Sequence, residues 1–151
     1  MRKVFLTMCA DPVHHGHINI IQKAMEHGDE VIVGLLTDEA ITEYKKPPLI
    51  GYEQRKIVVE NIKGVSRVVA QKSGLDYTEN LLMLKPDFVV HGDDWKTGPL
   101  APVRSKVIET LKEWDGVLVD VPYTEGICSN DLRSKIHSNT CAVDKSVAFI
   151  K

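Results

Sequence analysis

The chain predicts an α/β fold: a doubly wound, Rossmann-like parallel sheet of about five strands with helices on both faces. Strand and helix signals alternate along the 151 residues, which is the pattern of successive βαβ units. The strands are continuous apolar runs rather than alternating ones, so each is expected to be buried on both faces of a parallel sheet. The three most unusual loops, 9–17, 91–98 and 123–130, follow the first, fourth and fifth strands. Right-handed crossovers would bring them to one crevice beyond the C-terminal strand ends, where such sheets bind ligands.

Taken in order, residues 3–8 with Val4-Phe5-Leu6 form the first strand. Ile18, Ile21 and Met25 recur at helical spacing over 15–27, with Gly28 as a stop. Residues 30–36 are the second strand, and Thr37 or Asp38 caps a helix. Pro47-Pro48 breaks that helix, because neither residue can donate a backbone hydrogen bond. Residues 52–62 form the next helix, ended by Gly64, and 65–70 the third strand. A helix over 76–84 stops before Pro86, and 87–92 is the fourth strand. A longer helix spans about 102–114, and 117–121 is the fifth strand. Ser129 caps a last helix to about His137, with Asp131 favourable in its first turn. This places one domain over 1–137, with 138–151 as a C-terminal arm or tail.

Composition excludes several classes. A chain of this length can enclose one core, and 43% apolar and 26% charged residues with a net charge of −2 describe an ordinary globular protein. No basic excess points to nucleic acid, no apolar run approaches a membrane span, and the N-terminus is too short for a secretory signal. Three widely spaced cysteines, Cys9, Cys128 and Cys141, form no CxxC pair. They read as free thiols in a reducing compartment, hence the cytoplasm.

The stretch around which the chain is organised is Met8-Cys9-Ala10-Asp11-Pro12-Val13-His14-His15-Gly16-His17. It lies at a strand-to-helix junction, where unpaired N–H groups and a partial positive charge favour phosphate. His14 and His17, three apart, are expected to point the same way, and Gly16 lets a ligand approach the backbone. A zinc site is the rival reading, since such a pair can chelate, with Asp11 or Cys9 as the nearest third ligand. After the fourth strand, Gly92-Asp93-Asp94-Trp95 offers backbone groups, carboxylates and a flat apolar wall. After the fifth, Thr124-Glu125-Gly126-Ile127-Cys128-Ser129-Asn130 opens a second helix start suited to phosphate.

Together the three loops resemble the cytidylyltransferases of the nucleotidyltransferase superfamily. His14-x-Gly16-His17 matches their HxGH signature. Thr124-Glu125-Gly126-Ile127 matches the RTEGIST signature without its Arg, which is Tyr123 here, and Gly92-Asp93-Asp94-Trp95 matches the segment between. Tyr52-Glu53-Gln54-Arg55 and the lysines before it also fall in step. Of the Gly-Thr-Phe-Asp that often precedes HxGH, only Asp11 is kept. In finer detail, Cys9-Ala10-Asp11, His91-Gly92-Asp93-Asp94-Trp95-Lys96-Thr97-Gly98 and Pro122-Tyr123-Thr124 are similar to the modules associated with phosphoenolpyruvate mutase, which activate 2-aminoethylphosphonate.

The resemblance implies transfer of CMP from CTP to a small phosphonate, with pyrophosphate released. Phosphocholine, phosphoethanolamine and glycerol 3-phosphate are alternative acceptors, and a regulatory nucleotide-binding module without turnover is an alternative of a different class. His14 and His17 would donate to the phosphoryl oxygens, and Lys46 and Arg55, with Lys45 as a weaker candidate, would hold the triphosphate or the acceptor's anionic head. The nucleotide would meet Met8, Cys9, Ala10, Asp11, Gly16, His91, Gly92, Asp94, Trp95, Thr124, Gly126, Ile127 and Ser129. Asp76, Tyr77 and Tyr123 are acceptor candidates. Mg²⁺ would accompany CTP, with Asp11 as its protein contact, and related enzymes imply a homodimer.

Overall fold

The computed structural model describes the backbone of residues 1–142 and the side chains of residues 1–136. Five strands, β1 (Lys3–Met8), β2 (Glu30–Leu36), β3 (Arg67–Gln71), β4 (Phe88–Gly92) and β5 (Val117–Val121), form one sheet in the order β3-β2-β1-β4-β5. All four pairings are parallel. The helices are α1 (His15–His27), α2 (Asp38–Thr42), α3 (Tyr52–Glu60), α4 (Thr78–Leu84), α5 (Ala101–Leu111) and α6 (Ser129–Ala142). Short 3₁₀ turns cover Asp93–Trp95 and Lys112–Trp114.

The apolar runs are continuous because the sheet has a core on each face. Successive strand residues point to opposite faces, so Val4, Leu6 and Met8 of β1 pack with Ile21 and Ala24 of α1 and Val59 of α3. Phe5 enters the other layer, with Leu81 and Leu84 of α4 and Val103, Val107 and Leu111 of α5. Fully burying each such side chain stabilises the fold by roughly 1.5–3 kcal/mol.

The chain starts at the centre of the sheet, builds outward to β3, then crosses back to β4, so strand order reverses between β1 and β4. Pairing there covers only Val4↔Phe88 and Phe5↔Val89, whereas β1 pairs with β2 along its whole length. The cleft opens above this seam.

Element bounds differ from expectation at a few ends. The helix after β2 has five residues, Asp38–Thr42, and α4 starts at Thr78 because the Asp76 carboxylate accepts the Thr78 N–H and holds a turn before it. The last helix continues to Ala142 rather than ending near His137; residues 138–142 contain neither Pro nor Gly to stop it. The expected arm over 138–151 lies mostly outside the described residues.

Candidate active site

The first loop builds an unusual helix start. His14 is the N-cap of α1 in extended conformation, and its Nδ1 accepts the Gly16 N–H at 3.1 Å. The His14 N–H in turn donates to His17 Nδ1 at 3.0 Å. This is a capping box with imidazoles in place of the usual hydroxyl and carboxylate, and it satisfies two otherwise orphaned backbone donors.

The arrangement dictates the tautomer. A ring nitrogen that accepts an N–H carries no proton, so in both neutral rings the proton sits on Nε2. The ring centroids are 4.1 Å apart. Burial, with the neighbouring His14 and Lys45 charges adding to it, lowers the His17 pKa to about 4. Burial and His15 lower that of His14. Near neutral pH the pair therefore offers two uncharged Nε2–H donors.

Both histidines line an open cleft of about 860 Å³ at the C-terminal ends of the strands, within the size range of small-ligand sites. Its walls bring together residues from all three loops. Met8, Cys9 and Gly16 come from the first, His91, Gly92 and Asp94 from the second, and Tyr123, Thr124, Ile127 and Ser129 from the third. Gly16 leaves room for the capping ring: a Cβ there would lie 2.8 Å from His14 Cε1 and 2.9 Å from its Nδ1. Asn19 Nδ2 donates to Thr124 Oγ1 at 3.2 Å, and Ser129 Oγ donates to the Pro12 carbonyl at 3.0 Å, so the starts of α1 and α6 are tied across the cleft.

Several expected contacts fall elsewhere. Arg55 does not face the cleft. It is buried, donating from Nε to the Ile50 carbonyl (2.8 Å), from Nη1 to the carbonyls of Cys9 (2.8 Å) and Leu36 (2.7 Å), and from Nη2 to Asp38 Oδ1 (2.7 Å). A guanidinium suits this task because its fork of donors reaches several acceptors at once. Asp11 is likewise buried; its carboxylate accepts the N–H groups of Leu49 and Ile50, both at 2.9 Å, and pairs with Arg133 of α6 at 3.2 Å. With those bonds made it does not fit the expected Mg²⁺ contact. Among the described residues, no three His, Cys, Asp or Glu side chains converge as a metal site.

Trp95 lies behind the cleft wall rather than on it. Fully buried, it stacks under His91 at 3.6 Å between centroids and donates from Nε1 to Asp120 Oδ1 at 2.9 Å. Arg104 grips the same carboxylate from two sides, at 3.2 and 2.7 Å, and holds the Asp120 carboxyl below the usual range. His91 Nδ1 donates to the Gly92 carbonyl at 2.7 Å, and burial lowers its pKa.

Lys45 lines the cleft, whereas Lys46 is exposed and outside its wall. Ala10 is a buried turn residue with φ 54°, and Gly126 turns the third loop with φ 83°; neither lines the cleft. Of the acceptor candidates, Tyr77 and Tyr123 line it, while Asp76 sits apart, paired with Lys106 at 3.5 Å. Sequence reasoning missed Arg133, Arg104 and Asp120 because their partners are 16 to 122 positions away.

A protein-family model described as cytidylyltransferase-like matches residues 7–138, a span that contains every loop of the cleft. The chain belongs to the cytidylyltransferase-like family. As a member of it, the protein is a nucleotidyltransferase of the cytidylyltransferase class. It is 30% identical to the glycerol-3-phosphate cytidylyltransferase of Bacillus subtilis over 136 residues, which are 90% of this chain and 98% of that one. It is 40% identical to the ethanolamine-phosphate cytidylyltransferase of Mus musculus over 92 residues, 61% of this chain and 23% of that longer protein. Among solved structures, the lipopolysaccharide core biosynthesis protein of Thermoplasma volcanium shares the fold, with a TM-score of 0.68 at 22% identity over 82% of this chain and 99% of that one. Among the described residues no helix is long and apolar enough to cross a membrane.

Proposed function

We propose that the protein transfers CMP from CTP to a small acceptor with a terminal phosphonate, 2-aminoethylphosphonate being the first candidate. The observation that carries the transfer is the pair of uncharged Nε2–H donors of His14 and His17, fixed by their own capping bonds in a cleft walled by two helix starts; the phosphonate acceptor rests on the sequence resemblance. A phosphonate oxygen is already anionic near neutral pH and needs no base. It attacks the α-phosphorus in line, the bond to the β-phosphate oxygen breaks, and pyrophosphate leaves with the electron pair. The imidazoles donate to the α-phosphoryl oxygens as charge builds there, and the N–H groups at the start of α6 hold the leaving phosphates. Asp94 and His91 wall the nucleoside side, with Trp95 as the platform beneath. Mg²⁺ entering with CTP would be held by the phosphates and water.

A second acceptor class is favoured by the relatives, which are named for glycerol 3-phosphate and phosphoethanolamine; the same cleft chemistry serves a phosphomonoester. Pyrophosphate release with CTP or ATP, across 2-aminoethylphosphonate, phosphoethanolamine, phosphocholine and glycerol 3-phosphate, tests the reading. CTP with one of these acceptors should turn over, and 2-aminoethylphosphonate should have the highest kcat/KM. A higher value for a phosphomonoester replaces the phosphonate acceptor, equal use of ATP overturns the nucleotide choice, and CTP binding without pyrophosphate release makes the protein a regulatory module. The proposal includes a homodimer, and a monomeric mass in sedimentation equilibrium would remove that part.

A further inference from the structure

We propose that Tyr44, seated on Gly74, is a specificity-determining residue that bounds the acceptor end of the cleft and restricts it to phosphonates or phosphomonoesters with short, unbranched heads. The inference rests on the cytidylyl-transfer reading above. Tyr44 opens the Pro-rich loop after α2, and its ring lies over Gly74 in the loop between β3 and α4. A Cβ on Gly74 would collide with Tyr44 Cε1 and fall 3.0 Å from Cζ, so any other residue there displaces the ring. The seat is held firmly. Gln71 Nε2 donates to the carbonyls of Ser73 (2.8 Å) and Asp76 (3.2 Å), and Ser73 Oγ donates to Glu43 Oε2 at 3.2 Å, next to Tyr44 itself.

From this seat the Tyr44 hydroxyl lies 3.7 Å from Cys9 Sγ. Lys45 Nζ lies 3.9 Å from the same sulfur and 5.3 Å from the centre of the Tyr44 ring, in cation–π range. Tyr77, whose hydroxyl accepts from Thr7 Oγ1 at 2.9 Å, walls the same end of the cleft. That end therefore holds one ammonium surrounded by phenols, a thiol and a hydroxyl. In-line displacement requires acceptor and pyrophosphate on opposite sides of the α-phosphorus. With the α-phosphoryl group at the histidines and the pyrophosphate at the start of α6, the acceptor's oxyanion falls to Lys45, and its head runs into the Tyr44 ring.

Tyr44→Ala, Gly74→Ala and the double variant, assayed by pyrophosphate release with 2-aminoethylphosphonate and with the longer, branched phosphocholine, test this. Tyr44→Ala should shift the ratio of kcat/KM between the two acceptors by about tenfold toward phosphocholine, with the KM for CTP unmoved. Gly74→Ala should raise the KM for 2-aminoethylphosphonate when Tyr44 is present and add nothing in the Tyr44→Ala background. Tyr44→Leu, which keeps an apolar side chain on the seat, should show a smaller shift of the same sign. An unchanged acceptor ratio, strictly additive effects, or an equal shift in the KM for CTP overturns the proposal while leaving cytidylyl transfer intact. Absence of pyrophosphate release from the unaltered protein with every acceptor overturns both.

Discussion

The guanidinium of Arg55 donates to the backbone carbonyl of Cys9 at 2.8 Å from 46 positions away in the chain. Through one buried side chain, the floor of the cleft is bonded to the end of β2, to the carbonyl of Ile50 and to Asp38.

Arg55→Met should therefore act on the fold before it acts on substrates. Met fills part of the volume but leaves the carbonyls of Cys9, Leu36 and Ile50 without their donor. Stability should fall by about 2–4 kcal/mol, a drop in Tm of roughly 5–15 °C by calorimetry. A variant that melts with the unaltered protein but has lost CTP binding would put Arg55 on the substrate instead.

His17 caps α1 and, in the proposed reaction, donates from Nε2; two substitutions split these tasks. Asn places its carbonyl oxygen where Nδ1 lies, so His17→Asn keeps the bond from the His14 N–H and loses the donor at Nε2. It should melt within a few degrees of the unaltered protein while kcat falls about 100- to 1000-fold. His17→Gln, with an amide nearer the Nε2 position, should retain more activity and less stability. Comparing Tm with pyrophosphate-release rates for the two variants checks the division.

The lowered His17 pKa also makes stability depend on pH. The unfolded ring titrates near 6.5 and the folded one near 4, so between those values the unfolded state binds more protons and stability rises with pH. As pH falls from 6.5 to 4, His17 should withdraw about 3 kcal/mol from the folded state. His17→Asn should flatten this part of a denaturant-midpoint profile; an equal slope in the variant would assign it to other groups.

Asp120→Ala leaves the buried Trp95 N–H without its acceptor and frees Arg104. The loss should be about 1–3 kcal/mol, and the slackened platform under His91 should raise the KM for CTP several-fold with little change in the KM for the acceptor. Chemical denaturation and initial-rate kinetics read the two effects separately.

The sheet and the convergence of the three loops were legible in the sequence, because burial on both faces leaves the same apolar signature in every strand and short loops follow strand ends. The HxGH spacing likewise announced His14 and His17. Side-chain direction was not legible. Arg55, Asp11 and Trp95 are of types that bind nucleotides, yet each turns inward, and only the packed structure shows the carbonyls, N–H groups and carboxylate that hold them. Lys45 and Lys46 are indistinguishable by type, and the cleft selects the first. Tyr44 carried no signal, since its meaning depends on a glycine 30 positions away.

The narrow join between β1 and β4 would give the proposed nucleotide a mechanical part to play. With pairing confined to Val4↔Phe88 and Phe5↔Val89, the upper halves of these strands have their hydrogen-bonded partners on the outer side, in β2 and β5. The bonds from Asn19 to Thr124, from Ser129 to the Pro12 carbonyl and from Arg133 to Asp11 already bridge the open top of that seam, and a nucleotide seated between the first loop and the last, as proposed above, would add one more clasp between the two halves of the sheet.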